Sequence, residues 1–430
     1  MKTIFKIAWR NLWRNKKRSL ITIVSIFLAV LLSVFMRSMQ LGSYENMTLA
    51  AISQVGYMQV QGKGFWENQS INEAIIYSDD LKEKIYGVSN VREQIPRLQN
   101  FSLASSAEKT KGALVIGVNP EIEDKHQNLS KKIVWGNYLA ENDYGVLIAH
   151  DLAKYLGLIK VEKVIIYSSD SLSKETIEII EVLNDTLVLI GSGYQGITAA
   201  ALFPLTGILK FATPQENGSL IYMTLENAQS TFSPYVPNLL TSVAIDIYEK
   251  EKMEQTRNEI RAQLNDKYDV MLWGEMLVEI VQGIQSDNIS GIIMLGILYM
   301  IVGFGLLGTV LMMTMERRRE MAVMISVGLQ RTRLALILVV ESVILAIIGV
   351  IAGILISYPF VYYLYLNPIP LKNELAEMMA SYNMEPVIPF SLEFSIFYNQ
   401  ALVIFIIALF IAIYPLATAF NLKLIKAFHK

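Results

Sequence analysis

Four apolar runs, each long enough to cross a hydrocarbon layer of roughly 30 Å as a helix, constrain this chain more than any other feature. They are Ser19 to Leu41, Ile289 to Met313, Leu334 to Ser357 and Phe394 to Phe420. Backbone inside lipid must satisfy its own N–H and C=O groups, so such runs fold as helices. Small residues punctuate the second, with Gly303 among five glycines, and the third, where Gly349 and Gly353 have the small-xxx-small spacing that lets helices pack closely in lipid. An apolar share of 53% in 430 residues leaves room for a sizeable polar domain as well.

The formal net charge is only −2, but its distribution is lopsided. Lys and Arg far outnumber Asp and Glu in residues 1–18, 315–333 and 421–430, and acidic residues prevail elsewhere. The positive-inside rule therefore puts both termini and the central loop in the cytoplasm. Residues 3–18 read as an interfacial helix, with Ile4, Phe5, Ala8, Trp9, Leu12 and Trp13 opposite Lys6, Arg10, Arg14 and Lys17. The long apolar run behind it lacks a small-x-small cleavage pattern, so residues 19–42 are expected to stay as the first span.

Residues 43–288 contain no segment apolar enough to cross a bilayer and are expected to form one extracytoplasmic α+β domain between the first and second spans. β-rich runs recur at Val55–Gln61, Gly112–Val118, Gly145–Ala149, Lys163–Ser168, Thr186–Ile190, Ser219–Thr224, Thr241–Ile247 and Tyr268–Leu272. Helical patterns fall at Asp80–Val88 and Lys250–Leu264. Their order suggests a mixed layer split by an inserted β-rich lobe over residues 119–236. The second span is then 289–314, the third 334–357 and the fourth 394–420, with a short outer loop 358–393 and a cytoplasmic tail 421–430.

Charge is densest, within the membrane part, from Met315 to Leu334. Glu316, Arg317, Arg318, Arg319 and Glu320 open this stretch, and Arg331 and Arg333 close it. Met321, Met324, Ile325 and Gly328 fall at i, i+3, i+4 and i+7, one face of a short amphipathic helix. Two charges lie inside spans. Arg37 is near the outer end of the first and can snorkel to the interface. Glu341 is seven residues into the third, roughly 10 Å deep at 1.5 Å per residue, and must face protein or water.

Glu-Arg-x-Arg-Glu, then apolar residues, a Gly and a further basic pair resembles the cytoplasmic segment of FtsX-like ABC transporter permeases, the family that includes MacB and LolC/LolE. There the segment is the coupling helix that docks on a separate ATP-hydrolysing subunit. The resemblance thus implies docking residues Glu316, Arg317, Arg319, Glu320, Met321, Met324, Gly328, Arg331 and Arg333, with Ala322 where the family often has Gly. It also implies a second permease, identical or related, and ATP and Mg held by the partner ATPase rather than by this chain. The location implied is a bacterial inner membrane, with the large domain periplasmic.

Ala8 to Asn15, Phe35 to Gln40 and Gly64-Phe65-Trp66-Glu67 look most like LolC/LolE-type permeases, which extract lipoproteins from the outer leaflet and pass them to a periplasmic carrier. On that reading Val30, Val34, Met36, Met294 and Leu298 are candidates for lining an acyl-chain groove between the first and second spans of paired subunits. The alternatives are a MacB-like permease working with a periplasmic adaptor and an FtsX-like platform that activates cell-wall hydrolases.

Other chemistry finds no support in the sequence. No Gly-x-x-x-x-Gly-Lys-Ser/Thr loop or Gly-x-Ser-x-Gly elbow is present, so no catalytic residues are assigned. Three histidines, at 126, 150 and 429, have no metal-site spacing, and there are no cysteines for disulfides or thiolate ligands. The acidic exterior argues against nucleic acid, leaving proteins and membrane lipids as partners.

Overall fold

The computed structural model describes residues 2–14, 16–167, 174–211, 213–372, 375–376 and 386–422. The chain divides into a membrane unit, Met1–Asn46, Gln282–Pro370 and Val387–Lys430, and an outer unit, Met47–Val281 with Leu371–Pro386.

The membrane unit opens with the helix Lys2–Arg14. The four spans then lie in longer helices: Lys16–Val55, Val278–Glu316, Arg331–Leu366 and the pair Phe394–Ile411 and Ile413–Phe420. The third does not end at Ser357 as the sequence suggested, but runs through Pro359 to Leu366. Ser357, Val361 and Leu364 keep one buried face of it, and Val361 and Leu364 pack in one cluster with Phe390, Ile396 and Phe397. Pro359 itself lies on the exposed face, and the packed face opposite carries the helix past it. The fourth breaks at Ala412, because Pro415 has no N–H to offer the Ile411 carbonyl.

The third span is the central helix: 50% of its apolar window is buried, against 11% for the second. Its glycines explain the close fit to the first span. A Cβ on Gly349 would lie 2.7 Å from Ile26 Cβ, and one on Gly353 would lie 2.6 Å from Val30 Cβ. Gly303, by contrast, would only touch Ile407 at an ordinary 3.7 Å.

The strands of the outer unit are β1 (Met58–Gly62), β2 (Ile75–Ile76), β3 (Val91–Ser106), β4 (Lys109–Val118), β5 (Ile133–Gly136), β6 (Val146–Ala149), β7 (Ile159–Tyr167), β8 (Lys174–Val182), β9 (Thr186–Ser192), β10 (Thr198–Leu209), β11 (Leu220–Thr224), β12 (Leu239–Leu240), β13 (Ser242–Ile247) and β14 (Tyr268–Leu272). Ten of them form one mixed sheet in the order β14-β1-β13-β3-β4-β11-β6-β10-β5, and β9 pairs with both β10 and β3. The path β3–β4–β11–β6–β10–β9 therefore closes on itself. Side-chain alternation fits that closure. Val115, Val146, Ile148, Ile221 and Met223 point to one core, and their neighbours Ile116, Leu147, Leu220 and Tyr222 to a second layer with Leu129 and Phe211.

Residues 119–236 are accordingly not a separate inserted lobe. β11 pairs in parallel with β4, and β9 pairs antiparallel with β3, so the insertion shares the sheet of the flanking strands. β7 and β8 pair with each other apart from that sheet, and β2 pairs with β12. At the other end of the sheet, a third cluster joins Ile52, Met58, Leu81, Ile85, Val243, Ile245, Ile260 and Leu272. Gly56, at φ +81, makes the turn from the first long helix into β1.

A buried ion pair holds the end of that helix. Arg97 donates from Nε to Glu123 Oε2 at 3.0 Å and from Nη2 to Glu123 Oε1 at 2.6 Å, and its Nη1 donates to the Gln54 carbonyl. A guanidinium on the last carbonyls of a helix satisfies groups the helix leaves open. Burial works against the Arg97 charge, but the Glu123 carboxylate more than offsets it and holds Arg97 above its ordinary range. The nearby His126 is pushed below its ordinary range, first by burial and then by Arg97.

Candidate functional site: the charged loop between the second and third spans

The second-span helix ends at Glu316, and a helix over Arg318–Ser326 follows with Arg317 at its N-cap. The far end closes with paired bonds, from the Gly328 N–H to the Ile325 carbonyl and from the Leu329 N–H to the Met324 carbonyl, each 3.0 Å. Gly328 has φ +102, the left-handed position that such a terminus requires. Gly328 thus lies past the helix end, not on its apolar face. Met321 and Ala322 form that face and are buried with Leu334, Ala335, Leu338, Ala419 and Leu422.

Arg317 turns inward. Its Nη1 forms a buried ion pair with Glu341 Oε2, and its Nη2 donates to the Asn11 carbonyl at 3.3 Å. Asn11 Nδ2 donates to the other Glu341 oxygen at 2.7 Å. One triangle of polar contacts therefore joins the N-terminal helix, the loop and the third span. Arg14 pairs with Glu320 at 2.5 Å beside it, with both side chains about half exposed.

These positions sort the docking residues expected from the sequence. Arg317 and Met321 are corrected to interior anchors, because an ion pair and an apolar cluster occupy them. Arg331 donates to the Phe420 and Leu422 carbonyls at the end of the fourth span, though it stays exposed. Met324 is half-buried, and Glu316, Arg319, Glu320, Gly328 and Arg333 are exposed. Val323 and Val327 were missed by the sequence reading; Val327 is 83% exposed. Four-residue spacing of two exposed apolar residues inside the charge cluster could have marked them.

Val30 and Val34 are fully buried in the apolar cluster of the spans and do not line a groove, and Gly353 draws the third span onto Val30. Met36 and Leu298 are half-buried, and Met294 is exposed. Arg37 Nη1 donates to Gln40 Oε1 at 2.7 Å and to Asn288 Oδ1 at 2.9 Å, which links the outer ends of the first two spans. Among the described residues no three His, Cys, Asp or Glu side chains gather as a metal cage.

Four spans, a large folded domain between the first two, and a charged helix between the second and third define a polytopic membrane protein with an extracellular α/β domain. Residues 292–424 match the family described as FtsX-like permease C-terminal, so the chain carries an FtsX-like permease domain, and over most of its length it is similar to an ABC transporter permease. It is 23% identical to the permease YknZ of Bacillus subtilis over 82% of this chain and 84% of that one. It is 18% identical to LolC, a lipoprotein-releasing system transmembrane protein of Xylella fastidiosa, over 58% of this chain and 55% of LolC.

Two solved domains are also similar. The extracellular domain of YknZ from Gram-positive bacteria is 14% identical, over 50% of this chain and 98% of that one, with a TM-score of 0.31. The periplasmic region of MacB from Actinobacillus actinomycetemcomitans is 13% identical, over 54% and 95%, with a TM-score of 0.33. A permease of this family implies an ATPase partner.

Proposed function

We propose that this chain is the mechanotransmitting permease subunit of a transporter in a bacterial inner membrane, with both termini and the charged loop cytoplasmic and the large domain periplasmic. ATP-driven closure of two ATPase subunits moves the helix Arg318–Ser326 in each of two permeases. The first and second spans carry that shift, and the outer domains change their separation. The work done is the extraction of lipoproteins or lipid-like cargo from the outer leaflet.

The observation that carries this reading is the interior of the four spans. Ile26, Ala29, Val30, Val34, Leu306, Ala346, Phe397 and Ile404 fill it with packed apolar side chains. A bundle packed in this way transmits force as a unit and offers polar cargo no lined path. Unbroken helices of 40 and 39 residues, bounding the outer insertion, suit the same role. A second reading is a MacB-like permease that moves periplasmic substrates through an adaptor; the longer alignment with the Bacillus permease than with LolC means that similarity alone does not favour lipoprotein release.

Purification of the full chain in mild detergent from its native membrane, followed by mass spectrometry, separates the two. An ATPase, a second permease and acylated lipoproteins are expected for lipid extraction. An ATPase with copies of this chain and an adaptor alone would favour the second reading, and the lack of any ATPase would overturn both.

A further inference from the structure

At the outer ends of the first and second spans, a single amide holds two opposite charges apart. Gln40 Oε1 accepts from Arg37 Nη1 at 2.7 Å, and Gln40 Nε2 donates to the Asp287 carbonyl at 3.0 Å and to Asp287 Oδ2 at 3.4 Å. The Tyr44 hydroxyl donates to the same Asp287 oxygen at 2.7 Å, and Asn288 accepts from Arg37 at 2.9 Å. Gly291 makes room for the amide, since a Cβ there would lie 1.7 Å from Gln40 Nε2.

A strut between two helices would consume both charges, but here much of each remains available. Both bonds of Arg37 use Nη1, and among the described residues its Nε and Nη2 donate to nothing. Asp287 is exposed, and Arg37 is half-exposed. Directly below, Ile289, Ile292, Ile293 and Met294 present exposed apolar side chains on the second span.

We propose that this cluster binds the zwitterionic headgroup of an outer-leaflet phospholipid. The phosphate takes the free N–H groups of Arg37, the ammonium takes Asp287, and the acyl chains lie along Ile292 and Ile293. An anionic headgroup without an amine would meet the Asp287 carboxylate unpaired, and a lone amine would meet Arg37. Only a ligand carrying both charges a few bonds apart satisfies the pair. The site lies within the membrane unit and does not depend on the cargo reading above.

The test is native mass spectrometry of the full chain in detergent with equimolar phosphatidylethanolamine, phosphatidylglycerol and diacylglycerol. Wild type is expected to retain phosphatidylethanolamine about threefold over either competitor, the scale of a half-exposed ion pair. Asp287→Asn should remove the preference over phosphatidylglycerol alone, and Arg37→Gln the preference over diacylglycerol. Equal retention of all three by wild type, which requires no variant to fold, overturns the proposal, as does a preference that survives both substitutions. Displacement of the lipid by millimolar soluble phosphoethanolamine would show that a free zwitterion, not a lipid, is the ligand, and would overturn the lipid assignment.

Discussion

Arg317 and Glu341 are each nearly inaccessible, in surroundings where an uncompensated charge is costly. Removing one partner strands the other, so Glu341→Leu or Arg317→Leu is expected to destabilise the membrane unit by about 3–5 kcal/mol. The double variant should recover most of that loss, because no charge is left unpaired. Thermal unfolding in detergent checks both statements, and a double variant as unstable as the sum of the singles would refute them. Glu341 was visible in the sequence as a carboxylate inside a span. Its partners were not, because Arg317 lies across a loop and Asn11 is 330 positions away. In the outer domain, burial first and Arg97 second hold the His126 imidazole below its ordinary value, while Glu123 and Asp246 oppose them. The folded value is thus below the unfolded one, and the unfolded chain binds the proton more readily. Stability is expected to fall as pH drops below about 6.5, and the slope to be shallower in His126→Gln. Unfolding midpoints at about pH 7.5 and 5.5, wild type against variant, measure the histidine share over that of the carboxylates.

Span positions follow from long apolar runs, which leave a chain in lipid few other folds, but span ends do not. Ser357 closes the third apolar run, yet packing of Val361 and Leu364 carries the helix on to Leu366. The closure of the outer sheet was illegible for a related reason. β3 pairs with β9 across most of the insertion, and such long-range pairing leaves no local periodicity. β3 itself went unread because residues 94–98 are buried on both faces, and beyond them polar Asn100 and Ser102 are buried while apolar Phe101 and Leu103 are exposed, which inverts the alternation that marks a half-exposed strand. Close packing at Gly349 is a test at this scale. Gly349→Val would drive a branched side chain into Ile26 and separate the first and third spans, at a cost of about 1–3 kcal/mol. Gly303→Ala should cost much less, since Ile407 is already at an ordinary distance. If both substitutions lowered the unfolding temperature equally, the close approach at Gly349 would not be what holds those spans together.

For the whole molecule, the proposed function raises the question of which surface would take up force from an ATPase. The sequence pointed to the charged loop and took its docking residues from a resemblance, and neither that resemblance nor their spacing could tell that Arg317 and Met321 face inward. What the fold leaves outward is a basic rim, Arg318, Arg319 and Arg333, around Val323 and Val327. A surface of that kind fits a cleft with an acidic edge and an apolar floor, and an apolar residue at its centre is the expected site of greatest sensitivity. Behind the rim, the Arg317–Glu341–Asn11 triangle and the Arg14–Glu320 pair tie the loop to the third span and the N-terminal helix. A push on Val327 would therefore be passed to those helices instead of bending the loop. Val327→Asp is expected to weaken ATPase binding about tenfold or more, and Arg319→Glu to lower stimulation of ATP hydrolysis through the rim, with folding and membrane insertion unchanged in both. Glu341→Gln should act differently: it leaves the docking surface intact, so the ATPase should still bind while cargo-stimulated hydrolysis falls. Binding and hydrolysis measured on the same reconstituted complexes separate these outcomes. Loss of binding in Glu341→Gln, with Val327→Asp behaving as wild type, would mean that the ATPase grips this chain somewhere other than the loop.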